Sequence, residues 1–490
     1  MRGGTTVDVR LIEVRAVGFV GAAVVALTSL RVGATPVGGI VEMQVGLRGV
    51  PPLEMALAYF GLALVVGAWL RLGTVLREHR VRPVSTVVTL AWWAAPLAFA
   101  APLYSRDVYS YLAQGALFVR GLDVYEYGPA ALGGPLTAQV SLIWQHTPAP
   151  YGPSFLLAAG AVMAIAGESV LVGIVGMRLL ALASLAVMVW AVPVIARRHG
   201  VDPSRALWLG VLNPLVLAHV VAGVHNEALM VALLLVAVVL TLRGRPLVAA
   251  AVVGVACLVK APAVVALAFI VAAAWGPRPL RALPLAALCA RVGAVALATV
   301  AGLTLATGTG FGWAAALGNT AESRNGLSLA TNLGMLLDGV LGLLGLSGPV
   351  DLVAVTRAVG MLAAAGLAGW LLLRRRDQAF QGLALVLLAV VLLGPVVHPW
   401  YLLWGSVLLA ATTVHPTVVR WAVMASAALA FYPMPSGGGP TVEALWGLAG
   451  IAAAVLFLPL SRPLSVPLAG QLAGQLSTLR RDRLEPSAPR

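Results

Sequence analysis

The passage Arg374-Arg375-Arg376, followed by AFQGLALVLLAVVLLGPV from Ala379 to Val396 and then by His398-Pro399-Trp400-Tyr401, sets three signals in series: clustered cations, an uncharged apolar run and a polar aromatic knot. About 30 Å of hydrocarbon asks for roughly 20 apolar residues in a helix, so the run is long enough to enter a bilayer. Arginines clustered at one end mark the cytoplasmic side, and the knot then falls on the opposite face.

The same pattern extends outward in both directions. The chain has 490 residues, 60% hydrophobic and 10% charged, with a mean hydropathy of +0.95. Too few polar side chains exist to clothe a water-soluble globule, which excludes a soluble enzyme. The net charge of +14 resides in short arginine clusters at the ends of apolar runs rather than on one basic face, so it signals topology and no nucleic-acid partner is expected. Those clusters are Arg71, Arg77, Arg80 and Arg82; Arg197, Arg198 and Arg205; Arg243 and Arg245; Arg278 and Arg281; Arg374 to Arg376; and Arg480, Arg481 and Arg483. The two cysteines, Cys257 and Cys289, lie inside apolar runs and imply no disulfide framework.

Between these markers the chain reads as an all-α polytopic membrane protein with about 14 membrane segments: 14–30, 52–72, 83–103, 170–194, 204–222, 227–243, 247–259, 261–275, 284–307, 352–373, 379–396, 400–414, 417–433 and 442–460. An even number puts both termini in the cytoplasm of a plasma-membrane protein. Gly152 to Gly167 and Leu333 to Leu346 are short for a crossing and read as interfacial or re-entrant helices. The pair 247–259 and 261–275 splits around Lys260-Ala261-Pro262, a hairpin of truncated helices. Residues 1–462 form a single membrane domain, with extracytoplasmic loops at 104–151 and 309–346, and 463–490 form a cytoplasmic tail.

Polar residues then gather on the outer face. The first loop opens Tyr104-Ser105-Arg106-Asp107-Val108-Tyr109-Ser110-Tyr111 and continues into an amphipathic stretch, Leu112 to Arg120, suited to lie along the interface. Asp107, at the rim of a span, is placed to act as general base on a hydroxyl, with helix capping or pairing to Arg106 as the structural alternative. Asp123 and Glu126, among Gly, Pro and Tyr, read as turn residues. Lys260 is the single lysine of the chain. Inside an apolar hairpin it must snorkel, pair with an acid or meet an anion such as a lipid phosphate. Arg324 offers a guanidinium to phosphate or a salt bridge to Glu322. His225 and His398 suit hydrogen bonding to phosphate or sugar, or capping of buried helix ends. Trp313, Trp400 and Trp404 suit stacking on a sugar or an interfacial belt. No tight acid or histidine cluster points to a metal; none is expected, although a divalent cation is left open.

Ser105-Arg106-Asp107-Val108-Tyr109-Ser110-Tyr111, Tyr151-Gly152-Pro153, Asn213-Pro214, His225-Asn226-Glu227, Leu258-Val259-Lys260-Ala261-Pro262 and His398-Pro399-Trp400-Tyr401-Leu402-Leu403-Trp404 occur in this order across most of the membrane domain. With them the chain resembles the actinobacterial polyprenol-phosphomannose-dependent α-1,6-mannosyltransferases, membrane glycosyltransferases of the GT-C class that build the mannan backbone of lipomannan and lipoarabinomannan. The resemblance implies Asp107 as catalytic base on the extracytoplasmic face. It implies polyprenyl-phosphate mannose as donor and a growing mannan as acceptor, among membrane lipids. Lys260, Arg324, His225, His398 and Tyr151 are the expected contacts of donor phosphate and lipid. Arg106, Tyr109, Asn226, Glu227, Trp400 and Tyr401 are those of sugar and acceptor. The alternatives are a GT-C transferase with another sugar or acceptor, and a polytopic lipid or solute transporter.

Overall fold

The computed structural model describes residues 2–36, 52–316, 318, 327–346, 348–432, 435 and 444–460. Arg324 and the tail 463–490 lie outside these residues, and of the loop 309–346 only part lies inside them. Every regular element among the described residues is helical. In chain order the longer ones are α1 (Arg2–Val32), α2 (Pro52–Glu78), α3 (Pro83–Leu97), α4 (Asp107–Val119), α5 (Pro153–Ala166), α6 (Val170–Arg198), α7 (Pro203–Gly210) and α8 (Glu227–Leu242). There follow α9 (Pro246–Cys257), α10 (Ala266–Trp275), α11 (Ala282–Ala306), α12 (Leu329–Leu343), α13 (Leu352–Arg374), α14 (Ala379–Leu393), α15 (Leu403–Thr412), α16 (Pro416–Leu429) and α17 (Ala444–Leu460).

Each of the expected segments carries a helix, but their lengths divide them. Six described helices are long and apolar enough to cross a membrane, and a bent pair, Val216–Ala222 with Glu227–Leu242, would add a seventh. The remaining apolar helices run 10–17 residues, and at 1.5 Å rise per residue those spans reach about 15–25 Å, short of a full hydrocarbon core. The short helices include α5 and α12, at the two stretches read as interfacial or re-entrant, and the break between α9 and α10 falls at Lys260.

Three expectations are corrected. The run 204–222 is not one helix: α7 stops at Gly210, and the chain resumes as a π-helix over Val216–Ala222. Pro214 cannot donate to the helical ladder, and Asn213 takes over the freed groups, its Nδ2 donating to the Leu209 carbonyl and Ser426 Oγ while its Oδ1 accepts from Leu215 N–H. The run 83–103 is helical only to Leu97, with Pro96 in the last turn. The stretch Leu112 to Arg120 is helical, as part of α4, yet Val108 to Leu117 are all buried, so it does not lie along an interface with one wet face. α5, α6 and short pieces of the first loop cover it.

The core is built from close helix crossings. A Cβ added at Gly21 would stand 2.5 Å from the Gly61 carbonyl oxygen, and one added at Gly61 would stand 2.7 Å from that of Gly21, so α1 and α2 touch backbone to backbone. Trp69 on α2 and Trp208 on α7 stack at 5.0 Å, each indole N–H donating to the other residue's carbonyl at 3.0 and 2.9 Å. Leu297, Leu305, Leu336, Leu343, Leu362 and Leu373 are left outward on α11, α12 and α13. Apolar side chains of that size facing out over whole helices are expected where lipid is the solvent.

Candidate active site

The site grows out of the broken span. Every residue from Ala206 to Ala228 is buried, and the chain turns by 111° between the π-helix and α8. π-helical turns recur at functional sites, and this one ends in a strained corner: Val224, a β-branched residue, has φ 58°. The corner is held by Arg178, from the middle of α6. Its guanidinium donates to the carbonyls of Ala98 (3.0 Å), Ala100 (2.6 Å) and Ala222 (3.1 Å), fixing the chain after α3 to the end of the π-helix.

Against that corner sits the N-terminus of α4, whose first residue is Asp107. The Asp107 N–H donates to Ser105 Oγ at 2.9 Å, and the free N–H groups of the first turn favour a negative side chain there. Its side chain is 27% exposed, and Oδ2 lies 3.8 Å from Nε2 of the fully buried His225. Trp400 is clasped between imidazoles, with His225 stacked at 4.0 Å and His398 at 4.4 Å, while His219 approaches at 5.1 Å. Burial pushes the His398 imidazolium down to about 4, against the opposing pull of Asp107, so the ring is neutral near pH 7.

Glu227 opens α8 with its side chain completely enclosed, and its Oε1 is ion-paired with the Lys260 ammonium. Lys260 is 11% exposed and lies 4.4 Å from the ring centre of Tyr401, 5.7 Å from that of Trp404 and 5.8 Å from that of Tyr151. The single lysine is thus drawn from the break between α9 and α10 into a box of aromatic faces, a setting that suits a cation. Burial, and next Asp107, push the Tyr151 phenol well above its ordinary range, so it stays an O–H. Side-chain atoms without a partner gather in the same place: His225 Nε2, the Asn226 amide, Glu227 Oε2, Trp404 Nε1 and both nitrogens of His219. Buried polar atoms are normally satisfied, so such a concentration marks a place suited to a polar ligand or ordered water.

The structure therefore brings together Asp107, His225, Asn226, Glu227, Lys260, His398, Trp400, Tyr401 and Tyr151. It turns two expected sugar contacts elsewhere. Arg106 donates to the carbonyls of Gln139 (2.9 Å) and Thr35 (3.1 Å) and lies over the Tyr109 ring, and the Tyr109 hydroxyl donates to the Ala34 carbonyl at 2.5 Å. Both tie α4 to the chain after α1, so Arg106 is not the partner of Asp107. Three residues of the site or its frame were given no role from sequence: Arg178 in a long apolar run, Tyr111 one helical turn after Asp107, and His219. An arginine amid an apolar span is by itself a pointer to function or to a carbonyl clamp, and here it is the clamp. Among the described residues no group of three or more His, Cys, Asp or Glu is arranged to hold a metal ion.

A helical, lipid-facing body with an acid, a paired cation and stacked imidazoles around one chamber is the build of a polytopic membrane enzyme. Sequence-family comparison narrows the class. The model of the α-(1→6)-mannopyranosyltransferase N-terminal domain matches residues 15–276, and that of the MptB C-terminal domain matches residues 330–462. A probable α-(1→6)-mannopyranosyltransferase of Mycolicibacterium smegmatis is 37% identical over 81% of this chain and 78% of its own length. α-(1→6)-Mannopyranosyltransferase A of Mycobacterium tuberculosis is 37% identical over 72% and 70%, and enzyme B of Corynebacterium glutamicum 32% identical over 87% and 77%. The chain belongs to the α-(1→6)-mannopyranosyltransferase family and is a membrane-bound glycosyltransferase.

Proposed function

We propose that this chain, a GT-C-type transferase, moves mannose from polyprenyl-phosphate mannose to the 6-hydroxyl of a growing α-mannan of the lipomannan type. The chamber opens on the extracytoplasmic face and both termini are cytoplasmic. The donor's prenyl tail stays in the bilayer and its phosphate enters the chamber. Asp107 takes the proton of the acceptor hydroxyl as that oxygen attacks the anomeric carbon, and the bond to phosphate breaks with its electron pair going to the phosphate oxygen. A β-linked donor gives an α product by single displacement, which needs one base rather than two carboxylates.

The observation that carries this reading is the isolation of Asp107. It is the one acid of the cluster open to solvent and free of a lysine or arginine partner among the described residues, and it faces the orphaned polar atoms of the chamber. Lys260, with the neutral His398 ring beside Trp400, supplies donors where the leaving phosphate develops charge. Tyr401, Trp404 and Tyr151 offer faces to the sugar. The test incubates purified protein with radiolabelled polyprenyl-phosphate mannose and short α-mannosides and digests the product with linkage-specific mannosidases. Radiolabel released only by an α-1,6-specific enzyme is expected; another linkage, or no transfer, counts against the assignment.

A further inference from the structure

We propose that His225 is a positioning residue for the base, its Nε2 accepting a hydrogen bond from the carboxyl O–H formed when Asp107 takes the acceptor's proton. The inference deepens the reading of Asp107 given above and rests on it. The His219 carbonyl accepts two bonds from the same residue, the His225 backbone N–H at 3.0 Å and ring Nδ1 at 2.9 Å. A carbonyl only accepts, so Nδ1 carries a hydrogen, which leaves Nε2 as the ring atom that can accept one. That atom is buried, has no hydrogen-bond partner and lies 3.8 Å from Asp107 Oδ2. Nε2 and Oδ2 thus face each other across a gap that a single shared proton would bridge.

Before the reaction the gap is open and nothing binds Asp107 from this side. Once the acceptor oxygen forms its bond to the anomeric carbon, its proton passes to Asp107, and the O–H so formed donates to Nε2 and closes the gap. The donor's phosphate leaves with the electron pair of the broken bond, and the shared proton returns to water when product departs. An interaction made only as the proton transfers lowers the barrier without tightening substrate binding. The local chain is shaped for this orientation: a Cβ at Gly223 would stand 2.7 Å from His225 Nδ1, and the next residue holds the strained φ of 58°. The groups facing the pair are His219 from the π-helix, His398 across Trp400, the phenols of Tyr111, Tyr151 and Tyr401, and the mutually paired Glu227 and Lys260.

The test compares His225→Phe, which keeps a ring on Trp400 and removes the acceptor, with His225→Gln, whose amide oxygen can accept. Transfer from radiolabelled polyprenyl-phosphate mannose is followed as kcat, donor KM and a pH–rate profile, with melting in detergent as the check on folding. Expected for the Phe variant are a fall in kcat of roughly 30-fold or more, a donor KM unchanged, and an acid limb displaced to lower pH because the pair no longer holds a proton together. The Gln variant recovers part of the rate. If His225→Phe is unfolded, Gly223→Ala, whose methyl displaces the ring, must give the same loss and the same displaced limb. Wild-type rate and profile in the Phe variant would overturn the proposal, as would equal losses in both variants with an unmoved acid limb, which means stacking alone. An active Asp107→Asn enzyme removes the underlying reading instead, whereas an inactive one beside a wild-type-like His225→Phe removes only this inference.

Discussion

Glu227 and Lys260 lie 33 positions apart and pair within the site. Removing one member leaves a buried charge uncompensated, so Lys260→Met is expected to cost about 3–5 kcal/mol of stability, seen as a large drop in melting temperature in detergent. The double variant Lys260→Met/Glu227→Leu should regain most of that stability and still fail to transfer mannose if Lys260 is, as proposed, the donor to phosphate. A double variant as unstable as the single would contradict this account. Arg178→Gln frees carbonyls of Ala98, Ala100 and Ala222 and is expected to destabilise by about 3 kcal/mol, measured in the same assay, with activity lost in proportion to folded protein. At this scale the sequence was partly legible. Asp107, Lys260 and the histidines announced themselves because ionisable groups are rare in such a chain. Which of them pair was hidden, since pairing depends on helices that cross far from one another in sequence. Lys260 was open to an acid or a phosphate from composition alone, and only the fold supplies the acid.

Among the elements, the long apolar spans were readable because hydropathy alone fixes them, and α6, α11 and α13 begin and end within a few residues of the expected limits. The broken span was less so. Apolar residues continue on both sides of Asn213-Pro214, so the run looks unbroken until Pro214 is seen to end the ladder and Asn213 to catch its free groups. The buried character of α4 was equally hidden, since its amphipathic spacing says nothing about the loop that covers it. The α1–α2 crossing carries a prediction of its own. Gly61→Leu would drive a side chain into the Gly21 backbone and Val24. Since small residues let these helices meet, a loss of about 1–3 kcal/mol is expected, visible as earlier thermal aggregation while the product linkage stays the same.

For the whole molecule, the proposed topology assigns a working side. α14 separates Arg374–Arg376 from His398 by 15 helical residues, about 22 Å along the axis, and α6 likewise carries Arg197 and Arg198 at the end opposite the first loop. In a background with Cys257 and Cys289 replaced by alanine, Asp123→Cys should react in intact cells with a membrane-impermeant maleimide, and Arg375→Cys only after permeabilisation. The opposite pattern would invert the topology. On the proposed donor, the bilayer is the solvent of the substrate as well as of the protein: a prenyl tail approaches through lipid while sugar and phosphate reach the unpaired polar atoms around Asp107. The most direct test of the central claim is the rate of mannose transfer by purified Asp107→Asn protein with radiolabelled polyprenyl-phosphate mannose and an α-mannoside acceptor. Loss of the base should lower turnover by roughly 10²–10⁴-fold with melting temperature unchanged, whereas a folded Asp107→Asn enzyme that transfers mannose at the wild-type rate would contradict it.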